Sequence, residues 1–232
     1  MQATFTVIRY RKRYIPFAFL AMALFHIPFW LRNNIVFYKL MGSGRNGSFD
    51  KTPDLQQWAI FIVQDLANEK QVLPSAIGKW LRFFNCEVCS FILEPIDSKG
   101  KWDGVTLFEN IHQTEHTGAV AVLTRASIRL KRLKDFWKNV PAVSERVKKA
   151  DGFVLSFGVG EIPWIKQATF SIWRDMELMK AFAYSNREHA EVIRKTYKEQ
   201  WYNEEMFARF KILACQGTLF GKNPLEANNV HL

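Results

Sequence analysis

Five histidines and three cysteines are the side chains of this 232-residue sequence that could hold a metal or act as nucleophiles. His231 lies in a short tail, and His26 sits inside an apolar run where a satisfied core or interface histidine is the simpler reading. His112 and His116 fall in HQTEH, the i, i+4 spacing of a zinc pair on a helix. That segment has no helical patterning and precedes a strand, which argues against zinc. Cys86 and Cys89 form a CxxC, but no second pair accompanies them and no helix opens after the strand-like CEVCSFIL. Cys86, Cys89 and Cys215 therefore read as structural thiols, and their odd number fits a reducing cytosol.

His189 has different neighbours. On a helix, Leu178, Phe182, Ser185, His189, Ile193 and Thr196 fall on one face that is mostly apolar or small, so it should turn toward a sheet. Two readings stand at this point: a buried histidine hydrogen-bonded to a strand, or an axial haem ligand in a planar space between helix and sheet. The strand 118–128 could line such a space. Its residues Ala119, Ala121, Arg125 and Ser127 share one parity, with small side chains leaving room and one guanidinium able to meet a propionate or bound oxygen.

The elements that position these residues repeat. β-Branched alternation marks strands at residues 3–10, 35–41, 55–65 and 87–94, with helices at 14–32 and 66–83. Pro74 marks a break or a new first turn in the second helix, and Pro95 the end of the last strand. The order strand, helix, strand, strand, helix, strand is the ferredoxin-like split βαβ. It recurs with strands at 118–128, 153–160, 167–173 and 206–213, and helices at 130–150, interrupted near Pro141, and from Asp175 to about Tyr197. QWAIFIVQD from Gln57 lies over QATFSIWRD from Gln167 without a gap, and GKWDG at Gly100 resembles GTLFG at Gly217. The fold expected is α+β: two tandem ferredoxin-like units closing into one eight-stranded barrel of the dimeric α+β type, with helices outside. The halves are residues 1–98 and 118–220, joined by a connector at 99–117 and followed by a tail at 221–232.

Composition narrows the partners. Hydrophobic residues make up 48% and aromatics 15%, enough for a substantial core and suited to a pocket for something flat or greasy. The net charge of +10 points to nucleic acid, an anionic membrane surface or an acidic protein. Lysines and arginines are spread over both halves without a reading motif, so no nucleic-acid partner is expected. The Gly/Ser loop at 42–47 lacks the lysine and following helix of a phosphate cradle. RYRKRYIPFAFLAMALFHIPFWLRNN has a basic flank and about 18 mostly apolar residues, like a signal anchor. Pro16, His26 and Pro28 interrupt it and a strand precedes it, so it reads as a buried helix or one that grazes a membrane.

Several stretches resemble the spheroidene monooxygenase family, bacterial carotenoid ketolases: FYKLMGSG at 37–44, LTRASIR at 123–129, FWKNVPAVS at 136–144, GVGEIPWIKQATFSIW at 158–173, FAYSNREHAEVIRK at 182–195 and WYNEEMFARFKIL at 201–213. They run in order across most of the chain. The resemblance implies a monooxygenase dependent on haem b that hydroxylates an allylic carbon of a linear carotenoid and oxidises it on to a ketone. Electrons would come from a donor protein such as ferredoxin. The fold implied is that of haem-binding α+β barrel proteins, aldoxime dehydratases among them. The histidine of FAxxxxxHAxxIR carries over to His189 as the proximal iron ligand, and Phe182, Ser185 and Ile193, on the same helix face, would lie beside it against the cofactor. Arg125 carries over as the catalytic residue, on the distal side or against a propionate. The cysteines place the protein in the cytoplasm, and a basic, aromatic-rich chain with one greasy helix, more hydrophobic than the resemblance leads one to expect, suits peripheral contact at the inner membrane. Two alternatives stand beside this reading, a haem-containing dehydratase and a non-enzymatic haem- or lipid-binding protein of the same fold.

Overall fold

Alternating apolar residues build eight strands that close into a barrel in the computed structural model, which describes residues 1–45, 48–65, 73–108, 116–185 and 199–230. The first half comprises β1 (Gln2–Arg9), α1 (Ile15–Leu24), α2 (His26–Trp30), β2 (Ile35–Gly44), β3 (Pro53–Gln64), α3 (Ser75–Phe83) and β4 (Glu87–Gly100). The second comprises β5 (Val120–Ile128), α4 (Leu133–Lys148), β6 (Phe153–Ile162), β7 (Lys166–Trp173), α5 (Met176–Ser185) and β8 (Tyr202–Gly217). The ring runs β1-β3-β2-β6-β7-β5-β8-β4, every neighbour antiparallel. Each half is thus a ferredoxin-like sheet, as the sequence indicates.

Two unequal seams join the halves. β4 and β8 pair from Cys89–Gly217 to Gly100–Met206, whereas β2 and β6 share only Gly42–Gly160 and Ser43–Val159. At the long seam, Gly100 and Gly217 occupy equivalent positions with φ of 89° and 88°. A Cβ at either would lie 2.2 Å from the Glu205 carbonyl oxygen or 2.1 Å from that of Val88. Only glycine can turn the chain there.

Inward-facing side chains fill the barrel. Phe5, Phe61, Phe91, Phe170 and Phe210 are fully buried inside it with Ala3, Ala59, Ala121 and Ala208. Phe5 and Phe170 stack at 4.2 Å, and Trp102 and Phe61 at 5.5 Å. The outward faces carry separate clusters under the helices. One holds Ile8, Ile60 and Ile62 with Ala18, Ala21, Ile77 and Leu81. Another holds Val120, Val122 and Trp173 with Met179 and Phe182, and a third Ile128 with Phe136, Trp137 and Val140.

Several local expectations change. β4 does not stop at Pro95; beyond Leu93 it has only β8 as a neighbour, and the register shifts between Pro95 and Asp97, where a missing N–H is tolerated. α4 runs through Pro141 without a break. The apolar segment is two helices meeting at Phe25, laid along the first sheet by Ala18, Ala21, Phe25 and Phe29. The gapless superposition of Gln57 on Gln167 is one residue out. Gln57 is buried on the parity of the inward residues Ala59 and Phe61, whereas Gln167 lies on the opposite parity from the inward Ala168 and Phe170. Ladder positions equate Ala59 with Ala168 and Phe61 with Phe170, and a one-residue slip would turn every side chain to the wrong face.

Candidate functional site

Because aromatic rings occupy the barrel, chemistry must sit at its ends or on its outer faces. One end is closed by a turn in which Trp102 folds inward and bridges to Val105, a pattern that Leu219 and Lys222 repeat after β8. Arg125, wholly buried on the inner face of β5, is held there by carboxylates. Its Nη1 donates to Glu204, its Nη2 lies 3.0 Å from Asp103 Oδ1 and its Nε 3.7 Å from Glu161. Lys39 binds Asp103 and, at 3.0 Å, Glu161; Lys166 reaches Asp103 at 2.7 Å. Trp102 Nε1 donates to Glu161 at 2.8 Å. The backbone N–H groups of Asp103 and Gly104 donate to Glu204 at 2.8 and 2.7 Å.

Three cations and three carboxylates therefore offset one another at this mouth. Burial alone would raise the pKa of Asp103, but the ammonium groups of Lys166 and Lys39 bring it down to about 2. For Glu204 burial likewise opposes ionisation, and hydrogen bonds from Gly104, Asp103 and Arg125 reverse the direction to a lowered pKa. Such a cluster fixes the loop after β4 over the barrel end.

The outer face of the second sheet has a different character. The row Phe207–Thr124–Thr169–Gly158 crosses β8, β5, β7 and β6 by direct pairing. Thr124 is exposed and Thr169 half-buried, although both lie on inner strands of the sheet. The matching row of the first sheet, Ser90–Thr6–Ile60–Leu40, is buried throughout, with Thr6 and Ser90 hydrogen-bonded at 2.9 Å beneath the helices. The next row, Arg209–Val122–Ser171–Ser156, is again small and polar at its β6 side. Among the described residues, no helix covers this floor of short side chains between the apolar clusters under α5 and α4.

The residues named from sequence are placed as follows. Phe182 is on α5 and packs on Trp173 at 5.3 Å, against the outer cluster. Ser185 is the last described residue of that helix. His189 and Ile193 lie outside the described residues. Arg125 does not share the outer face with Phe182: its parity, that of Ala119, Ala121 and Leu123, points into the barrel. Its guanidinium is engaged by Glu204 and Asp103, so a group held under α5 would meet the sheet, not Arg125. Among the described residues, Arg209 places a guanidinium on the outer face, its Nε donating to Asp97 at 2.7 Å. Of the HQTEH pair only His116 is described, its Nε2 donating to the Ala119 carbonyl at 3.0 Å. Cys86 packs outside and Cys89 inside, so the CxxC is no chelating pair. Burial pushes the Cys86 thiol up to about 12, keeping it protonated.

Sequence reasoning passed over Thr124, Thr169, Asp103 and Glu204. Thr124 stands in the alternation of VAVLTRASI where Val120 and Val122 are apolar, a visible change of character on one face. Glu204 and Asp103 are 101 positions apart, and only the barrel closure brings them together.

A second concave feature is an open groove of about 700 Å³ beside the short β2–β6 seam. Phe29, Trp30, Phe37, Tyr38 and Glu161 are among its walls.

Comparison with known proteins connects this architecture to others. The family described as a domain of unknown function, DUF3291, matches residues 118–212, most of the second half. Spheroidene monooxygenase of Rhodobacter capsulatus is 34% identical over 217 residues, covering 92% of this chain and 90% of that enzyme. The spheroidene monooxygenase of Cereibacter sphaeroides is 34% identical over 193 residues, covering 82% of this chain and 59% of that one. Among solved structures, an aldoxime dehydratase in complex with butyraldoxime superposes with a TM-score of 0.63 at 10% identity, over 97% of this chain and 84% of that one. That last likeness is one of fold.

Proposed function

Because this chain belongs to the spheroidene monooxygenase family, we propose that it is a haem-dependent monooxygenase that hydroxylates an allylic carbon of a linear carotenoid and oxidises it on to a ketone. The observation that carries the reaction is the 34% identity with the Rhodobacter capsulatus enzyme over nine-tenths of both chains, at 92% and 90%. The Thr124–Thr169 floor supports the cofactor, since a planar group needs a sheet face that a helix has not sealed, and among the described residues the matching row of the first half is buried throughout.

In this reading His189, beyond the end of α5, is the iron ligand. Val120, Val122, Trp173 and Phe182 form the apolar wall that keeps water from the ring. Thr124 and Thr169 contribute small hydroxyl side chains that leave room above the sheet and can donate to a polar edge. Arg209, paired with Asp97, and the exposed Lys211 on the same parity of β8 are cations on this face able to meet a propionate. Once bound, haem would supply activation of dioxygen, with electrons from an external donor such as ferredoxin. The protein's part is to fix the ligand, exclude water and present one carbon of a long apolar chain.

The test is the absorption spectrum of the purified protein, as isolated and after reduction with carbon monoxide. A Soret band that shifts with carbon monoxide, and is lost in His189→Ala, is expected. A protein that stays colourless after haem reconstitution would sink the cofactor assignment.

A further inference from the structure

α1 and α4 follow the first strand of their respective halves and pack on corresponding sheet faces, yet their outer surfaces differ in kind. α4 exposes Lys134, Lys138, Glu145 and Lys148, as a helix in water does. α1 is apolar on every side, and its only buried residues are the small Ala18 and Ala21. Its large side chains point away from the protein: Phe17, Phe19, Leu20 and Leu24 are exposed, and Ile27, Trp30 and Leu31 continue the patch along α2. Trp30 is 75% and Leu31 79% exposed. Through the Phe17–Phe84 stack at 4.7 Å the patch joins α3, where Phe83 is 78% exposed. Small residues inward and large aromatics outward invert the usual order for a soluble surface, and a contiguous apolar patch of this kind marks a lipid or protein contact.

Charge chooses between those partners. Residues 1–49 contain seven Lys and Arg and no Asp or Glu. Arg11, Lys12 and Arg13 stand exposed at the start of α1, and Lys79 and Arg82 are exposed on α3 beside Phe83. Two copies of this chain meeting face to face would bring these cations together. An anionic bilayer offers the apolar patch its acyl boundary and the rim its headgroup phosphates. The segment cannot span: β1 before it and β2 after it both pair with β3, and Phe25 and Phe29 hold the helices to that sheet.

We infer that α1, α2 and the end of α3 form a docking face for the surface of an anionic phospholipid bilayer, with the helices lying in the interface plane. The groove walled by Phe29, Trp30 and Tyr38 opens beside this face. A lipid-dissolved substrate would then be met at the bilayer surface, a consequence that rests on the proposed function; the docking itself does not.

The experiment is co-sedimentation of the full chain with sucrose-loaded vesicles of phosphatidylcholine alone or with 3 parts in 10 phosphatidylglycerol, an anionic share of about a third as in charged leaflets. Binding should be at least about tenfold stronger to the anionic vesicles and weaken with added salt. Leu20→Ser, Leu24→Ser and Leu31→Ser combined should reduce it at least about tenfold, as should Arg11→Gln, Lys12→Gln and Arg13→Gln combined. Unchanged circular-dichroism melts would show that both variants fold, and the wild-type lipid dependence stands as a readout without them. No sedimentation with anionic vesicles, or equal sedimentation with both, would overturn the inference. So would a dimer in light scattering that the serine variant dissociates while vesicle binding is absent. None of these readouts involves haem or turnover, so a failure here is distinct from a failure of the proposed reaction.

Discussion

Thr124 pairs directly with Thr169 on the outside of the second sheet and is exposed there, while Thr6 and Ile60, which pair at the corresponding place in the first sheet, are buried beneath helices. The two halves of one chain share a backbone plan and differ in what their outer faces leave open.

That difference predicts a selective effect. Thr124→Phe fills the floor from an exposed position, so stability should change by no more than about 0.5 kcal/mol. Haem uptake, measured by titration of the purified protein, should weaken at least about tenfold, because the ring loses its seat on the sheet. Unaltered uptake would move the cofactor elsewhere.

Arg125 is a prediction about stability instead of catalysis. Its guanidinium is buried against Glu204, Asp103 and Glu161. Arg125→Met would leave Glu204 without its side-chain cation and the cluster with two cations for three carboxylates, and should cost about 2–4 kcal/mol in urea denaturation. The haem absorption of any folded fraction should be unchanged in position, since the residue is on the other face of the sheet.

The same mouth sets an acid limit. The ammonium groups of Lys166 and Lys39 hold the Asp103 carboxyl down at about 2, below its ordinary 3.8, and the Glu204 carboxyl is lowered as well by hydrogen bonds from Gly104, Asp103 and Arg125. A carboxylate with a depressed folded pKa contributes stability above its unfolded pKa and loses it as pH falls through the folded one. Denaturation midpoints should therefore be level above about pH 5 and fall between about pH 4 and 2. Asp103→Asn should lower the plateau and flatten that descent.

At the long seam, Gly100→Ala and Gly217→Ala should each destabilise by at least about 2 kcal/mol. Each places a Cβ against a carbonyl oxygen, at 2.2 and 2.1 Å, in a left-handed turn. Chemical denaturation of both variants, with Gly104→Ala as a control that meets no atom within 4 Å, measures the difference.

The duplicated plan was legible because period-2 alternation and the GKWDG and GTLFG turns survive in both halves. The facing of Arg125 was not. Ala119, Ala121 and Leu123 face the barrel and Val120 and Val122 face the helices, so both parities of β5 are apolar and buried, and alternation cannot say which points inward. The slip at Gln57 has a related origin, since two matching glutamines outweighed a pattern that reads nearly the same after one step. Pro95 lies at a bulge, where no ladder bond is lost, and at Pro141 the packing of Phe136, Trp137 and Val140 carries α4 through the missing hydrogen bond. The ion cluster at Asp103 and the openness of Thr124 depend on which strands and helices come together, which no local window contains.

The central claim is oxygen insertion, and it is tested most directly by supplying haem-loaded protein and a reducing system with a linear carotenoid such as spheroidene under ¹⁸O₂, then weighing the first hydroxylated product. One ¹⁸O atom in that hydroxyl is the expected result. Product whose oxygen comes from water, or no oxygenated product while haem remains bound, would contradict it.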